Sequence, residues 1–266
     1  MTTSILSFGG GVQSVAIACL MLQGKIKKTD IAIFVDTGRE KSSTLEYYNQ
    51  YLANQFPLTI IKAKDWLSAK DFDVVIEQEN RKDVRIPAFT ETGKMRSLCS
   101  NRWKVMAIRR FLRHLGVKNA DMLLGISADE SKRVRLSDVG WLTNYYPLID
   151  GLFSKKYSDL VLRRLDCFKV IQDFGLPPAP KSSCYICPNM RPQEWVNLPT
   201  HDLEKAIAVE KDMQERTRGH LQQMPYLTNT KLPLTEAIKK YKQDLELAEK
   251  QGVFEMSECS SGYCFT

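Results

Sequence analysis

Ser4-Ile5-Leu6-Ser7-Phe8-Gly9-Gly10-Gly11-Val12-Gln13-Ser14 is the stretch whose reading decides the fold. Residues 4–8 form a short apolar run that stops at three glycines. Val12, Val15, Ala16, Cys19, Leu20 and Leu22 then recur near helical period, and Gly24 ends the pattern. A strand, a glycine turn and a helix in that order bring backbone N–H groups and a helix N-terminus to one point. Such a point attracts phosphate, because uncapped N–H groups and the helix dipole both favour negative charge. Glycine lets the backbone come close and adopt positive φ. Ser7, Gly9, Gly10, Gly11, Gln13 and Ser14 are therefore the candidate phosphate-binding residues, with the two serine hydroxyls as added donors. The turn lacks the G-K-[ST] lysine, so it is not a Walker A loop.

Working outward, residues 31–35 are continuously apolar, which suits a strand buried on both faces. Asp36-Thr37-Gly38 follows it. Residues 42–55 read as helix, with Ser42 or Ser43 as cap, and 58–61 as strand. The alternation predicts an α/β, Rossmann-like parallel sheet with helices on both faces. Further on, 101–115 reads as a basic helix, 121–126 as a strand and 159–174 as a helix. Residues 200–222 and 234–251 are helical and highly charged. The expected organisation is an α/β nucleotide-binding domain over 1–190, then a helical appendage and a short cysteine-containing tail over 191–266.

Composition agrees with a water-soluble chain. Of 266 residues, 43% are hydrophobic and 26% charged. The net charge of +7 and pI of about 9.0 favour an anionic partner, a nucleotide or a nucleic acid. No apolar run approaches the roughly 20 residues of a membrane helix. No basic leader precedes the first strand. The expected setting is cytoplasmic, without a membrane partner. There the seven cysteines are reduced, and clustered ones read as metal or redox sites.

Several segments in order resemble the PP-loop superfamily and, within it, the phosphoadenosine phosphosulfate (PAPS) reductase family. The glycine turn is similar to the S-G-G-x-D-S loop of the superfamily and to the S-F-G-x-Q form of the reductases. Val35-Asp36-Thr37-Gly38 resembles a D-T-G segment, and Gly125 through Arg133 resembles G-[IL]-x-x-[DE]-[EQ]-S-x-x-R. Tyr146-Pro147-Leu148-Ile149-Asp150 is similar to N-P-L-x-D/W, and Ser97 through Val105 to C-C-x-x-R-K-V. The likeness spans residues 4–190. It implies the HUP/PP-loop variant of the fold and an adenine nucleotide (ATP, APS or PAPS) at the glycine turn. Asp36, Lys104 and Arg133 are its further nucleotide contacts. Gln13 stands where ATP-cleaving members have a Mg²⁺-associated aspartate, and glutamine is a poor Mg²⁺ ligand. That leans toward sulfonucleotides, whereas the triple glycine leans toward ATP.

Cys184-Tyr185-Ile186-Cys187-Pro188 is a C-x-x-C, a spacing at which two thiolates grip one metal or cluster. In assimilatory adenosine phosphosulfate (APS) reductases a C-C pair and a C-x-x-C hold a [4Fe–4S] cluster, and the separation of Cys99 from Cys184 resembles theirs. Ser100 replaces the second cysteine of the first pair. The resemblance thus implies a 4Fe–4S cluster on Cys99, Cys184 and Cys187, completed by a tail thiol (Cys264 or Cys259) or left with an open fourth iron; zinc on the same three and a tail thiol, or free thiols, are the alternatives. Glu258-Cys259 is similar to the start of the reductases' terminal E-C-G-x-H, which makes Cys259 the candidate nucleophile. Cys19 and Cys167 read as core residues.

Three functions follow from these residues. In the first, Cys259 attacks the sulfur of a bound sulfonucleotide, and a thiol reductant protein completes the cycle. In the second, the protein adenylates a nucleic acid acceptor at the expense of ATP and then thiolates or otherwise modifies it. The third is a nucleotide- or nucleic-acid-binding module without turnover.

Overall fold

The computed structural model describes residues 2–78 and 81–250. In chain order the elements open with β1 (Thr3–Ser7), α1 (Val12–Leu22), β2 (Ile31–Asp36), α2 (Ser42–Tyr51), β3 (Thr59–Lys62) and α3 (Ala63–Trp66). Next come α4 (Ala69–Phe72), two hairpins β4 (Val75–Gln78)–β5 (Arg81–Val84) and β6 (Phe89–Thr90)–β7 (Gly93–Lys94), and a π-helical segment Ser100–Val105 that runs into α5 (Met106–His114). The chain continues through β8 (Ala120–Leu124), β9 (Leu142–Tyr145), α6 (Arg164–Asp173), α7 (Pro192–Val196), α8 (Thr200–Thr217) and α9 (Leu234–Lys250).

These elements divide into two compact units. Unit one takes the described residues up to Trp66 and Lys104–Ser182; unit two takes Leu67–Trp103 and the described residues from Ser183 on. The expected boundary at residue 190 lies inside unit two, because the segment carrying α4 and both hairpins packs with the C-terminal helices. Sequence order hides such a grouping.

Unit one is the Rossmann-like α/β fold. Its five strands are all parallel, in the order β3-β2-β1-β8-β9. Ile5 lies opposite Ile31 on one side and Met122 on the other. Both faces of β2 are covered: Ala32 and Phe34 join a core with α1 and α6, while Ile33 and Val35 are buried on the other face, where α5 packs. Every residue of α1 from Val12 to Met21 is buried, which explains why all but Gln13 and Ser14, at the end beside the glycine turn, are apolar.

Two differences from the sequence reading have clear causes. Helix α6 begins at Arg164, not at 159, because 158–162 is backbone-paired elsewhere: Gly151 N–H donates to Leu160 O and Leu162 N–H to Leu148 O. Strand β9 went unseen in the sequence; its polar Thr143 and Asn144 reflect its place at the sheet edge.

In unit two, Glu210 of α8 is buried and receives the N–H groups of Leu227 (2.9 Å) and Leu234 (2.6 Å), the latter at the start of α9. Arg216 clamps Asp73 with two parallel bonds of 2.9 and 2.7 Å and reaches Glu77 at 3.1 Å. Thus α8 is tied to the β4–β5 hairpin. Among the described residues no helix is long and apolar enough to cross a membrane.

Candidate functional site

The glycine turn leaves β1 at the C-terminal edge of the sheet. Strands β2 and β3 extend from β1 in one direction, β8 and β9 in the other. The chain therefore diverges beside β1, and in open α/β sheets such a switch point opens a crevice beyond the strand ends. Phe8 N–H still donates to Ile33 O at 2.8 Å, after which the turn begins.

Two glycines of the turn meet close neighbours, and Gly10 also needs a positive φ. Gly10 has φ +73°, and a Cβ on it would lie 2.4 Å from Thr44 Cγ2. Gly11 has an ordinary φ of −96°, but a Cβ there would lie 2.6 Å from Ser182 Oγ. Ser182 is a site residue that sequence reading missed; it carries no motif and reaches the turn only by packing. Gly11 also begins α1, which has no side-chain cap and no acidic residue in its first turn. That helix end therefore keeps its affinity for an anion. Ser14 differs from expectation in one respect: its hydroxyl donates to Gly11 O at 3.0 Å, so it braces the turn from within. Ser7, the last residue of β1, is paired with Ile33 and Leu124.

Beside the turn, the loop after β8 comes into contact with α1. A Cβ on Gly125 would stand 3.2 Å from Gln13 Cβ and 3.3 Å from Ser14 N. Gln13, 9% exposed, is gripped at both ends of its amide: Nε2 donates to Glu130 Oε2 at 2.9 Å, and Oε1 accepts from Arg164 Nη1 at 3.0 Å. Arg133 Nη1 pairs with the same Glu130 oxygen at 2.9 Å. The fold thus joins Gln13 and Arg133 through Glu130 and adds Arg164. The pattern around Ser131 contained Glu130, but nothing in the sequence signalled Arg164.

Asp36 and Lys104 have local partners. Asp36 Oδ1 accepts Gly38 N–H at 2.7 Å, closing a turn. Lys104 Nζ lies 3.0 Å from Glu40 Oε1, which also accepts the Thr37 hydroxyl at 3.0 Å. The Glu40 side chain is only 2% exposed. Among the described residues, Glu40 Oε2, Thr44 Oγ1 and Ser127 Oγ are buried without a hydrogen-bond partner, whereas buried polar atoms normally find one.

The basic run on α5 is partly structural. Arg109 pairs with Asp138, Arg110 Nη1 donates to Trp66 O at 2.8 Å, and the Arg113 guanidinium stacks 4.4 Å from the Trp141 ring centroid.

Of the cysteines, Cys19 and Cys167 are buried, and burial pushes both thiols up to about 12. Neither is a nucleophile at neutral pH. Cys99, Cys184 and Cys187 are half-buried and belong to the same unit. Cys187 N–H closes a turn on Cys184 O at 3.0 Å, and Cys99 Sγ lies 3.8 Å from Ser97 Oγ. Among the described residues, no three His, Cys, Asp or Glu side chains gather into a metal-holding group. Cys259 and Cys264 lie outside the described residues. The described thiols do not by themselves compose a cluster site.

No protein-family model matches the chain, and no curated protein matches it.

Proposed function

We propose that this protein binds an adenine nucleotide with its phosphates on the Gly9–Ser14 turn and acts on it as a PP-loop enzyme of the PAPS reductase type. The observation that carries the reading is the uncapped N-terminus of α1 at the switch point, reached through a turn in which Gly10 has positive φ and no room for a Cβ, and in which a Cβ on Gly11 would displace the Ser182 hydroxyl. The unmet Glu40, Thr44 and Ser127 atoms support it. The adenine and the sulfur chemistry come from the motif resemblance. In that chemistry the Cys259 thiolate attacks the sulfur of a 5′-phosphosulfate, a Cys–S bond forms and the S–O bond to the nucleotide breaks. The nucleoside phosphate leaves, its charge met by the α1 N-terminus and Lys104. A thiol reductant then attacks the cysteine sulfur, releases sulfite and takes the cysteine into a disulfide. By the motif resemblance, Cys99, Cys184, Cys187 and Cys264 would hold a 4Fe–4S cluster; iron content after anaerobic purification tests this.

One observation favours ATP as an alternative substrate. Glu130 brings a carboxylate to within 2.9 Å of the Gln13 amide, next to where ATP-cleaving relatives of the motif carry an aspartate. A Mg²⁺-nucleotide would then be held by Glu130 after it releases Arg133. Anaerobic protein incubated separately with ATP, APS and PAPS distinguishes the readings. Sulfite from a sulfonucleotide supports the first, and pyrophosphate from ATP, stimulated by nucleic acid, supports the second. No nucleotide binding by calorimetry, or equal binding in Gly11→Ala, refutes both.

A further inference from the structure

We infer that Arg85 and Arg102, both in unit two, form a second anion site, one that takes a phosphate or sulfate group. Arg85 follows β5 and is fixed by its own backbone: its N–H donates to Val74 O at 2.9 Å, and its carbonyl accepts Leu98 N–H at 3.0 Å. The side chain is thereby turned inward, and the residue is 5% exposed. Its guanidinium has five N–H donors. Among the described residues its one hydrogen bond runs from Nη1 to the Asp71 carbonyl, and Nε is buried with no acceptor at all. No carboxylate among the described residues forms an ion pair with it. Asp71 and Asp73 lie within electrostatic range. However, the Asp73 carboxylate is clamped by Arg216, and Asp71 Oδ2 accepts the Ser68 hydroxyl at 2.9 Å.

A second cation makes this arrangement more costly. Burial is the main influence holding the Arg85 pKa below its ordinary value, and the charge of Arg102 is the next. Arg102 is exposed and is anchored through its N–H to Leu98 O at 3.1 Å, the carbonyl of the same residue whose N–H binds Arg85 O. Phe72, next to Asp71, and Trp103, next to Arg102, bring their ring centroids within 5.8 Å and so hold the two segments together. Taking a guanidinium out of water without a paired counter-charge is costly, and the charge of Arg102 within electrostatic range adds repulsion. A tetrahedral oxyanion resolves both difficulties. It accepts several N–H groups at once and neutralises two charges, the pairing to which the guanidinium fork is suited. The site is built wholly from unit-two residues and does not depend on the nucleotide reading of unit one.

Isothermal titration of the full chain with inorganic phosphate and with sodium sulfate, against sodium chloride at matched ionic strength, tests the site. The Gly11→Ala variant is titrated in parallel, so that anion binding at the glycine turn is not counted. Saturable binding of phosphate or sulfate is expected to persist in Gly11→Ala and to weaken at least tenfold when Arg102→Gln is added to that variant. Adenosine monophosphate as a third titrant separates a free anion from an ester: tighter binding than inorganic phosphate in Gly11→Ala assigns the site to a nucleotide phosphate, equal or weaker binding to the free anion. The Arg85→Met variant should be at least as stable to urea as wild type in anion-free buffer, since the apolar chain removes an unpaired buried charge, and should gain nothing from phosphate. Three results overturn the inference. They are no saturable binding beyond chloride in Gly11→Ala, unchanged affinity when Arg102→Gln is added to that variant, and a loss of stability in Arg85→Met in anion-free buffer.

Discussion

Replacing Gly10 by alanine should destabilise unit one more than the same change at any other positive-φ glycine of that unit. Gly10 has φ +73°, a region that costs an L-residue about 1–2 kcal/mol. Its added Cβ would also stand 2.4 Å from Thr44 Cγ2 and 3.7 Å from the Phe34 ring. Thr44 is 1% exposed and Phe34 1% exposed, so neither has solvent to retreat into. Overpacking of this kind costs about 1–3 kcal/mol, which brings the expected loss to roughly 2–5 kcal/mol. Gly38 is the control: φ is +65° and nothing lies within 4 Å of its ideal Cβ, so Gly38→Ala should lose only the conformational part. Thr44→Ser removes the clashing methyl. The double variant Gly10→Ala/Thr44→Ser should therefore recover the packing part and keep the φ penalty. Urea unfolding of all four variants, with ΔG compared at equal m-values, measures the difference. Equal losses for Gly10→Ala and Gly38→Ala, or no recovery in the double variant, would refute the account of why glycine stands at position 10.

Two further outcomes concern unit two. Burial raises the Glu210 pKa above its ordinary 4.5, and the two backbone N–H groups it accepts oppose that only in part. A raised folded pKa contributes stability that is complete below the unfolded value and is lost as pH rises through the folded value. Wild type should thus lose a component of stability as pH rises above 4.5; Glu210→Gln should lack it and should lose about 1–2 kcal/mol at neutral pH through one unmet N–H. A parallel pair of pH–stability curves would contradict this. At Asp73, burial pushes the carboxyl up, but the Arg216 fork and the Val74 and Val75 N–H groups outweigh it and hold the pKa below 3.8. A depressed folded pKa gives stability present above the unfolded value and lost as pH falls. Arg216→Ala should therefore destabilise at neutral pH, and its difference from wild type should shrink below pH 3.8, measured by urea unfolding across that range.

The sequence by itself determined the core of unit one. An apolar strand, three glycines and a helix that is apolar from Val15 to Leu22 leave the β1–turn–α1 element little alternative, and the apolar run at 31–35 demands a strand covered on both faces. It also marked the glycine turn, because local backbone freedom is a property of the residues themselves. Tertiary structure alone decided what surrounds that turn. Thr44, Ser182 and Arg164 come from three distant segments, and contact between them carries no periodic or spacing signal. The same holds for Glu40, in the loop after β2, whose pairing with Lys104 joins two parts of unit one 64 positions apart in sequence. Glycine 11 shows the difference most plainly: its φ would accept any residue, and only the hydroxyl of Ser182, brought within 2.6 Å of where a Cβ would stand from 171 positions away, makes a side chain there displace a neighbour.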